Sequence, residues 1–337
     1  GTVIARHDTG PAVEDTVATT TPVVVDAVAT PGSAAGHAAG PAGAGVAGDR
    51  LGETRACHRA PRVYNTPNAH PSRTRRSTVR PSYRDYLDFA VETAYLAGKL
   101  TLGYFQTGLR PDLKADDTPV TAADRGAEQL IRARIEERYP HHAIVGEEFG
   151  AQGPEGASHR WYVDPIDGTK AFVHGVPLYA VLIGLEIEGT VEVGAVYFPA
   201  LDEMVAAATG GGCWWNGRPA RVSAETRLDR AVVSFTDANS FDHHGRAAAW
   251  ERIRNATYVR AGWGDAYGHC LVATGRIELM LDPIMADWDC GPFPPILREA
   301  GGYFGDWQGN PTIHAGEALS TTPSLLPQVL ALIQAPD

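Results

Sequence analysis

Apolar residues first recur with a regular period near Tyr83. Tyr86, Phe89, Ala90, Thr93, Ala94, Ala97, Leu100 and Tyr104 share one face of a 3.6-residue repeat, which predicts a long amphipathic helix ending near Gly108 and Pro111. A second helix is expected from Thr121, an N-cap with Asp124 three residues on, through Leu130, Ile131 and Ile135 to a stop before Pro140. Residues 143–148 (AIVGEE) read as a short buried strand ending in acids, and 161–169 (WYVDPIDGT) as a strand that stops at Asp164-Pro165. Segments 178–187, 190–198 and 203–209 read as successive antiparallel strands, with turns at Glu188-Gly189, at Pro199-Ala200 and within 215–219. Beyond Asp229, strands at 231–235 and 277–281 alternate with helices near 245–254 and 265–275. One continuous helix from Trp288 to Ala300 and a terminal helix at about 323–334 complete the pattern. The order suggests an α+β half over residues 81–225 followed by an α/β half over 226–337.

Residues 1–80 differ in kind. Residues 1–48 are mostly Ala, Gly, Val, Thr and Pro without a helical or strand period, so ordering them would not be offset by burial. Residues 50–80 add eight arginines, among them Arg73, Arg75, Arg76 and Arg80. A disordered tail is expected, with no fold before about Pro81; an organellar transit peptide or an upstream extension are the other readings.

Over all 337 residues, 44% are apolar and 20% charged, which suits a globular protein with a sizeable core. The formal charge of −11 argues against general nucleic-acid binding. It fits carboxylates gathered around cations, and equally an acidic surface kept for solubility. Cys57, Cys213, Cys270 and Cys290 form no C-x-x-C pair or zinc spacing, so a reducing, cytoplasmic setting is expected. No apolar run approaches the roughly 18–20 residues of a membrane span, and no secretory signal is readable.

Four acidic stations fall where elements begin or end: Asp124, Glu147-Glu148, Asp164 with Asp167, and Asp289. The richest is DPIDGT at 164–169, where Pro165 turns the chain so that Asp164 and Asp167 can converge. Clustered carboxylates suit hard divalent cations, and Gly168 and Thr169 open an element whose N–H groups could cradle a phosphate. Taken alone, the hexapeptide also suits an ordinary strand-to-helix turn with capping acids. It does not suit phosphatases of the haloacid dehalogenase type, whose nucleophilic D-x-D-G-T has one residue between its aspartates; here Pro165 and Ile166 intervene.

The order and spacing of the motifs resemble the inositol monophosphatase superfamily. The matching pieces are Lys114 with TPVTAAD (118–124), GEE (146–148), WYVDPIDGTKAFVHG (161–175), CWWNG (213–217), LVATG (271–275), WD (288–289) and EAGG (299–302). Together they span about residues 84–335. The resemblance implies a layered α/β/α/β/α sandwich of the inositol monophosphatase and fructose-1,6-bisphosphatase type, a homodimer, and lithium-sensitive hydrolysis of a small phosphorylated metabolite with two or three magnesium ions. It implies that Glu147, Asp164 and the Ile166 carbonyl bind one ion, that Asp164, Asp167 and Asp289 bind a second, and that Glu147 reaches a third. Thr169, hydrogen-bonded to Asp124, would then orient the attacking water, with no phosphoenzyme.

The family acts on inositol phosphates, sugar phosphates, adenosine bisphosphate or histidinol phosphate, so other positions must choose. Residues 168–186, Pro295-Ile296 and GWGDAYGH (262–269) look most like the histidinol-phosphatase branch. Asp265 and Asp282 fall where the family contacts substrate, and two carboxylates suit the cationic alcohol histidinol. Asp265 could instead cap the helix at 265–275 and Asp282 begin a turn. MADWD (285–289) lacks the histidine that many inositol phosphatases carry before W-D. Histidinol-phosphate phosphatase is therefore the leading expectation, followed by inositol-1-phosphate phosphatase and adenosine 3′,5′-bisphosphate phosphatase. A regulatory protein that keeps the fold to bind RNA or a partner is the reading from another class. His174 and His269 are expected as structural hydrogen-bonders.

Overall fold

The computed structural model describes residues 82–108, 111–113 and 119–336. The expectations for the tail at 1–80, for Lys114 and for Thr118 lie outside the described residues. Helix α1 (Tyr83–Leu102) starts at a capping box between Ser82 and Asp85. A two-stranded ribbon of β1 (Asp112–Leu113) and β2 (Pro119–Val120) leads into α2 (Ala122–Arg138), capped by Thr121 and Asp124 as expected.

The larger sheet comprises β3 (Ala143–Gly146), β4 (Gly150–Gln152), β5 (His159–Asp167), β6 (Ala180–Ile187), β7 (Thr190–Phe198), β8 (Glu203–Ala208), β9 (Cys213–Trp215) and β10 (Arg218–Pro219), with the short helix α3 (Thr169–Val173) following β5. Its order is β10-β9-β8-β7-β6-β5-β3-β4, and only the β3–β5 pair is parallel. A second sheet of five strands follows. It is built from β11 (Val232–Phe235), β12 (Val259–Ala261), β13 (Leu279–Asp282), β14 (Tyr303–Gly305) and β15 (Ala318–Thr321), in the order β12-β11-β13-β15-β14. The remaining helices are α4 (Ala238–His243), α5 (Ala247–Ala256), α6 (Asp265–Ala273), α7 (Asp287–Cys290), α8 (Phe293–Glu299) and α9 (Leu326–Ile333).

Alternation along the strands sets the layers, because successive side chains point to opposite faces. Val181, Ile183 and Leu185 of β6 join Val193, Ala195 and Tyr197 of β7 in one core with Leu87, Ala90, Ile131 and Ile135 of α1 and α2. The intervening Leu182, Val196 and Phe198 face the other way, against Cys270 and Leu271 of α6 and Phe293, Ile296 and Leu297 of α8. That same middle core includes Met280, Phe304 and Ala318 of the second sheet. The sheet's opposite face, through Val233, Leu279, Leu281 and Leu319, packs on Phe241, Ile253, Val329 and Ile333. The result is the expected α/β/α/β/α sandwich. No helix among the described residues is long and apolar enough to cross a membrane.

Two expectations need correction, and both corrections bear on the site. Strand β5 does not stop at Asp164-Pro165. Asp164 pairs with Leu182 and Asp167 with Ala180, so three steps on β5 meet two on β6 in a bulge. Proline is tolerated there because the extra residue leaves the ladder. The expected continuous helix from Trp288 to Ala300 is two helices, α7 and α8, broken at Gly291-Pro292. At that break the chain presses on the sheet so closely that a Cβ at Gly194 would lie 2.0 Å from the Pro292 carbonyl oxygen. Periodicity also passed over α3, α4, β4, β12, β14 and β15, none of them longer than six residues.

Candidate active site

The bulge in β5 puts Asp164 and Asp167, both buried, at the end of the strand. The Ile166 N–H donates to Asp164 Oδ1 at 2.9 Å, and the Thr169 hydroxyl closes the turn by donating to the Ile166 carbonyl at 3.0 Å. Asp289 arrives on α7, where its Oδ2 accepts the Ala286 N–H at 2.8 Å. Asp164, Asp167 and Asp289 can each offer an oxygen such that all three lie within 4.8 Å of one another. Glu147 follows β3, its N–H bonded to the Val163 carbonyl at 3.2 Å and its carboxyl within hydrogen-bonding reach of Asp164.

The turn that carries Glu147 is clamped from α2. Glu128, fully buried one helical turn beyond Asp124, accepts from the Glu148 N–H at 2.7 Å, the Phe149 N–H at 3.3 Å and Arg132 Nε at 2.7 Å. Asp124 is also fully buried. Its Oδ2 accepts the Thr121 N–H at 2.8 Å and the Thr121 hydroxyl, whereas Oδ1 has no hydrogen-bond partner. The expected hydrogen bond between Thr169 and Asp124 is therefore not formed: Thr169 turns to Ile166, and capping of α2 occupies only one oxygen of Asp124.

The electrostatics are those of a site short of positive charge. Burial raises the Asp164 pKa well above the usual carboxylate range, and repulsion from Glu147, Asp167 and Asp289 adds to it. Asp167 is raised in the same way, by burial first and then by Asp265 and Asp289. Asp289 is pushed up to about 7 by burial and by Glu147. Asp124 is raised mainly by burial, with Glu147 contributing. Among the described residues, Asp164, Asp167 and Asp289 bring oxygen donors this close together, the donor set of a hard divalent cation, which would relieve the repulsion.

Beyond the cluster, Asp265 and Asp282 line a cavity of about 270 Å³ together with Asp167 and Asp289. Gly168 and Thr169 line an adjoining one of about 350 Å³ with Glu147 and Asp265. Gly168 has φ +77°, and a Cβ there would lie 3.2 Å from both Asp265 Oδ2 and the Leu178 carbonyl. Asp265 is half-buried, and burial with repulsion from Asp282 pushes its pKa up to about 7 against the opposing charge of Lys170. It does begin α6, but Asp167 is the carboxylate that caps that helix, accepting the Ala266 N–H at 2.7 Å. Asp282 stands at the end of β13, backed by His269, whose Nε2 lies 3.2 Å from Asp282 Oδ2 and whose Nδ1 lies 2.7 Å from the Ser320 hydroxyl. His269 is thus the structural hydrogen-bonder expected, and His174 bonds the Lys170 carbonyl through Nδ1 at 2.8 Å.

Lys170, Thr236 and Asp237 line both cavities, and Ser240 and His244 line the first. Sequence reasoning missed them. Lys170 directly follows the DPIDGT motif and could have been noticed on that ground. Thr236, Asp237, Ser240 and His244 lie in a stretch where the sequence shows no motif, and the parallel pairing of β11 with β13 brings them to the site.

A layered sandwich with carboxylates converging at a bulged strand end defines a class of metal-dependent enzyme. Residues 82–335 match the model of the inositol monophosphatase family, and the chain belongs to that family. A histidinol-phosphatase of Chlorobaculum parvum is 46% identical over 234 residues, covering 69% of this chain and 90% of the relative. An inositol-1-monophosphatase of Mesorhizobium japonicum is 34% identical over 228 residues, covering 66% and 86%. The crystal structure of the extragenic suppressor protein suhB from Bartonella henselae superposes with a TM-score of 0.70 at 27% identity, covering 75% of this chain and 99% of that one.

Proposed function

We propose that this chain hydrolyses L-histidinol phosphate to L-histidinol and inorganic phosphate with magnesium ions at the carboxylate cluster. The observation that carries the substrate is the pair Asp265 and Asp282, which line the cavity next to the cluster. Histidinol brings an ammonium and an imidazole to that wall, whereas inositol brings only hydroxyls. Hydrogen bonds assisted by charge are about twice as strong as neutral ones. The relatives support this order, the one named a histidinol-phosphatase being 46% identical and the one named an inositol-1-monophosphatase 34%.

In this reading Glu147, Asp164 and the Ile166 carbonyl hold one cation, Asp164, Asp167 and Asp289 a second, and Glu147 reaches a third. When bound, the cations offset charge on the phosphoryl oxygens and make water more acidic. The Gly168 and Thr169 N–H groups donate to the phosphoryl oxygens. Thr169 rotates away from Ile166 to orient the attacking water, and Asp124 Oδ1, buried without a partner, accepts the proton passed along that hydroxyl. Water attacks phosphorus in line with the ester oxygen as the ester bond to phosphorus breaks, and the freed histidinol oxygen takes a proton from solvent water. Asp265 and Asp282 hold the cationic leaving group. Residues 81–225 thus supply Asp124, Glu147, Asp164 and Asp167, and residues 226–337 complete the site with Asp265, Asp282 and Asp289.

Phosphate release with magnesium, compared for L-histidinol phosphate and inositol-1-phosphate, tests the reading. A preference of about a hundredfold in kcat/KM for histidinol phosphate, about 2.7 kcal/mol of transition-state discrimination, is the expected result. The reverse preference would keep the chemistry and discard the roles of Asp265 and Asp282.

A further inference from the structure

Among the described non-glycine residues with left-handed backbone, Asp265 is the one that lines the site. Its φ is +53°, a conformation that costs an L-residue free energy and persists only where its surroundings enforce it. The surroundings that do so are specific. The Asp265 N–H donates to the Thr236 hydroxyl at 2.8 Å, and the next N–H, of Ala266, is held by Asp167 Oδ2 at 2.7 Å. The preceding Gly264 lies flat on the same residue: a Cβ on Gly264 would fall 2.4 Å from Thr236 Cα and 2.8 Å from its Oγ1. Two successive N–H groups are thereby anchored to two different elements, the end of β11 and the bulge of β5. The chain between the anchors is turned so that the Asp265 carboxylate lies against Gly168. Thr236 itself is exposed, so packing does not account for its hydroxyl.

We propose that Thr236 is a positioning residue for recognition of the leaving group: its hydroxyl holds Asp265 in the left-handed conformation that turns the carboxylate into the cavity. The inference rests on the reading of Asp265 as the carboxylate that meets a cationic leaving group. Without the hydroxyl, Asp265 relaxes toward an ordinary backbone conformation and its carboxylate leaves the wall shared with Asp282 and Lys170. The loss falls on recognition of positive charge, because the Thr236 hydroxyl acts on the Asp265 backbone and the Asp265 carboxylate is the group displaced.

The test uses the full chain with magnesium, and compares wild type with Thr236→Val, Thr236→Ser and Asp265→Asn. Two quantities are read: the ratio of kcat/KM for L-histidinol phosphate to that for inositol-1-phosphate, and the Kd of L-histidinol by titration calorimetry. Thr236→Val is expected to lower the ratio about tenfold, mainly through KM for histidinol phosphate, and to weaken L-histidinol binding by a similar factor. Thr236→Ser, which keeps the hydroxyl, restores both. Asp265→Asn keeps a residue that tolerates left-handed backbone and removes the charge, so it loses the ratio as Thr236→Val does. If Thr236→Val melts early, Thr236→Ala, a truncation at an exposed position, takes its place. An unchanged ratio, whether both substrates lose activity equally or neither does, overturns the inference. A wild type that shows no preference for histidinol phosphate sinks the functional reading and this inference with it; a wild type with the preference and an indifferent Thr236→Val sinks this inference alone.

Discussion

Removing the cations should make stability fall as pH rises across the range in which the crowded carboxylates ionise. Without metal, Asp265 and Asp289 have pKa values of about 7 in the folded protein, against 3.8 for a free aspartate. Between those limits the folded state holds protons that the unfolded state has released. The stability these groups contribute is therefore full below about pH 3.8 and is lost as pH rises through 7. Each displacement is roughly three pH units, worth about 4 kcal/mol at 1.36 kcal/mol per unit. The two groups share neighbours, so their contributions overlap, and a few kcal/mol in all is the appropriate scale. For a domain of this size that is roughly 6–12 °C in Tm. Magnesium, the cation of the proposed function, would bind the ionised form and should return most of the loss. The assay is thermal unfolding at pH 4.5 and 7.5, with EDTA or with saturating magnesium. The difference in Tm between the two should be large at pH 7.5 and small at 4.5. A magnesium effect equal at both pH values, or a metal-free Tm that rises across this range, would refute the electrostatic account of the cluster.

Two further outcomes follow from the geometry. On the proposed function, Asp282→Asn should raise KM for L-histidinol phosphate about tenfold with a smaller change in kcat, since it removes a charge from the cavity wall proposed to hold the leaving group while its amide can still meet His269; steady-state kinetics at saturating magnesium reads it. Gly168→Ala should cost about 1–2 kcal/mol in denaturant unfolding and lower kcat at least tenfold, because φ is +77° and the new methyl would press on Asp265 and the Leu178 carbonyl.

The long helices were legible in the chain because each buries an apolar stripe and carries its own cap, as Thr121 and Asp124 do for α2. The strands β6 to β8 were legible because their turn signals are local. Strands β12, β14 and β15, of three or four residues each, are defined by partners distant in sequence and have no room for a period. The break between α7 and α8 was signalled by Pro292, which has no N–H to continue α7, and it is where the chain comes close to Gly194 across the sheet. At the site, the acids announced themselves because carboxylates at element ends have few other uses in a buried setting. Thr236 did not, since a threonine at a strand end is ordinary until Asp265 is seen bonded to it. Nor could the partner of the Thr169 hydroxyl be read from spacing, because the hydroxyl closes its own turn on Ile166 while Asp124 Oδ1 stays without a partner.

Helix α2 carries Asp124, Glu128 and Arg132 at intervals of four, one buried polar seam beside the apolar stripe of Ile131 and Ile135. The first of these lies near enough to Glu147 for that charge to raise its pKa, and the second holds the turn that bears Glu147. Helix and site are therefore one mechanical piece. A substitution that only loosens the seating of Ile131 or Ile135 would tilt the seam and move both Asp124 and Glu147 before the sandwich itself came apart. Cation affinity then becomes a gauge of how well a remote hydrophobic interface is packed. A screen for altered magnesium dependence should return core variants of α2 alongside variants of the ligands themselves.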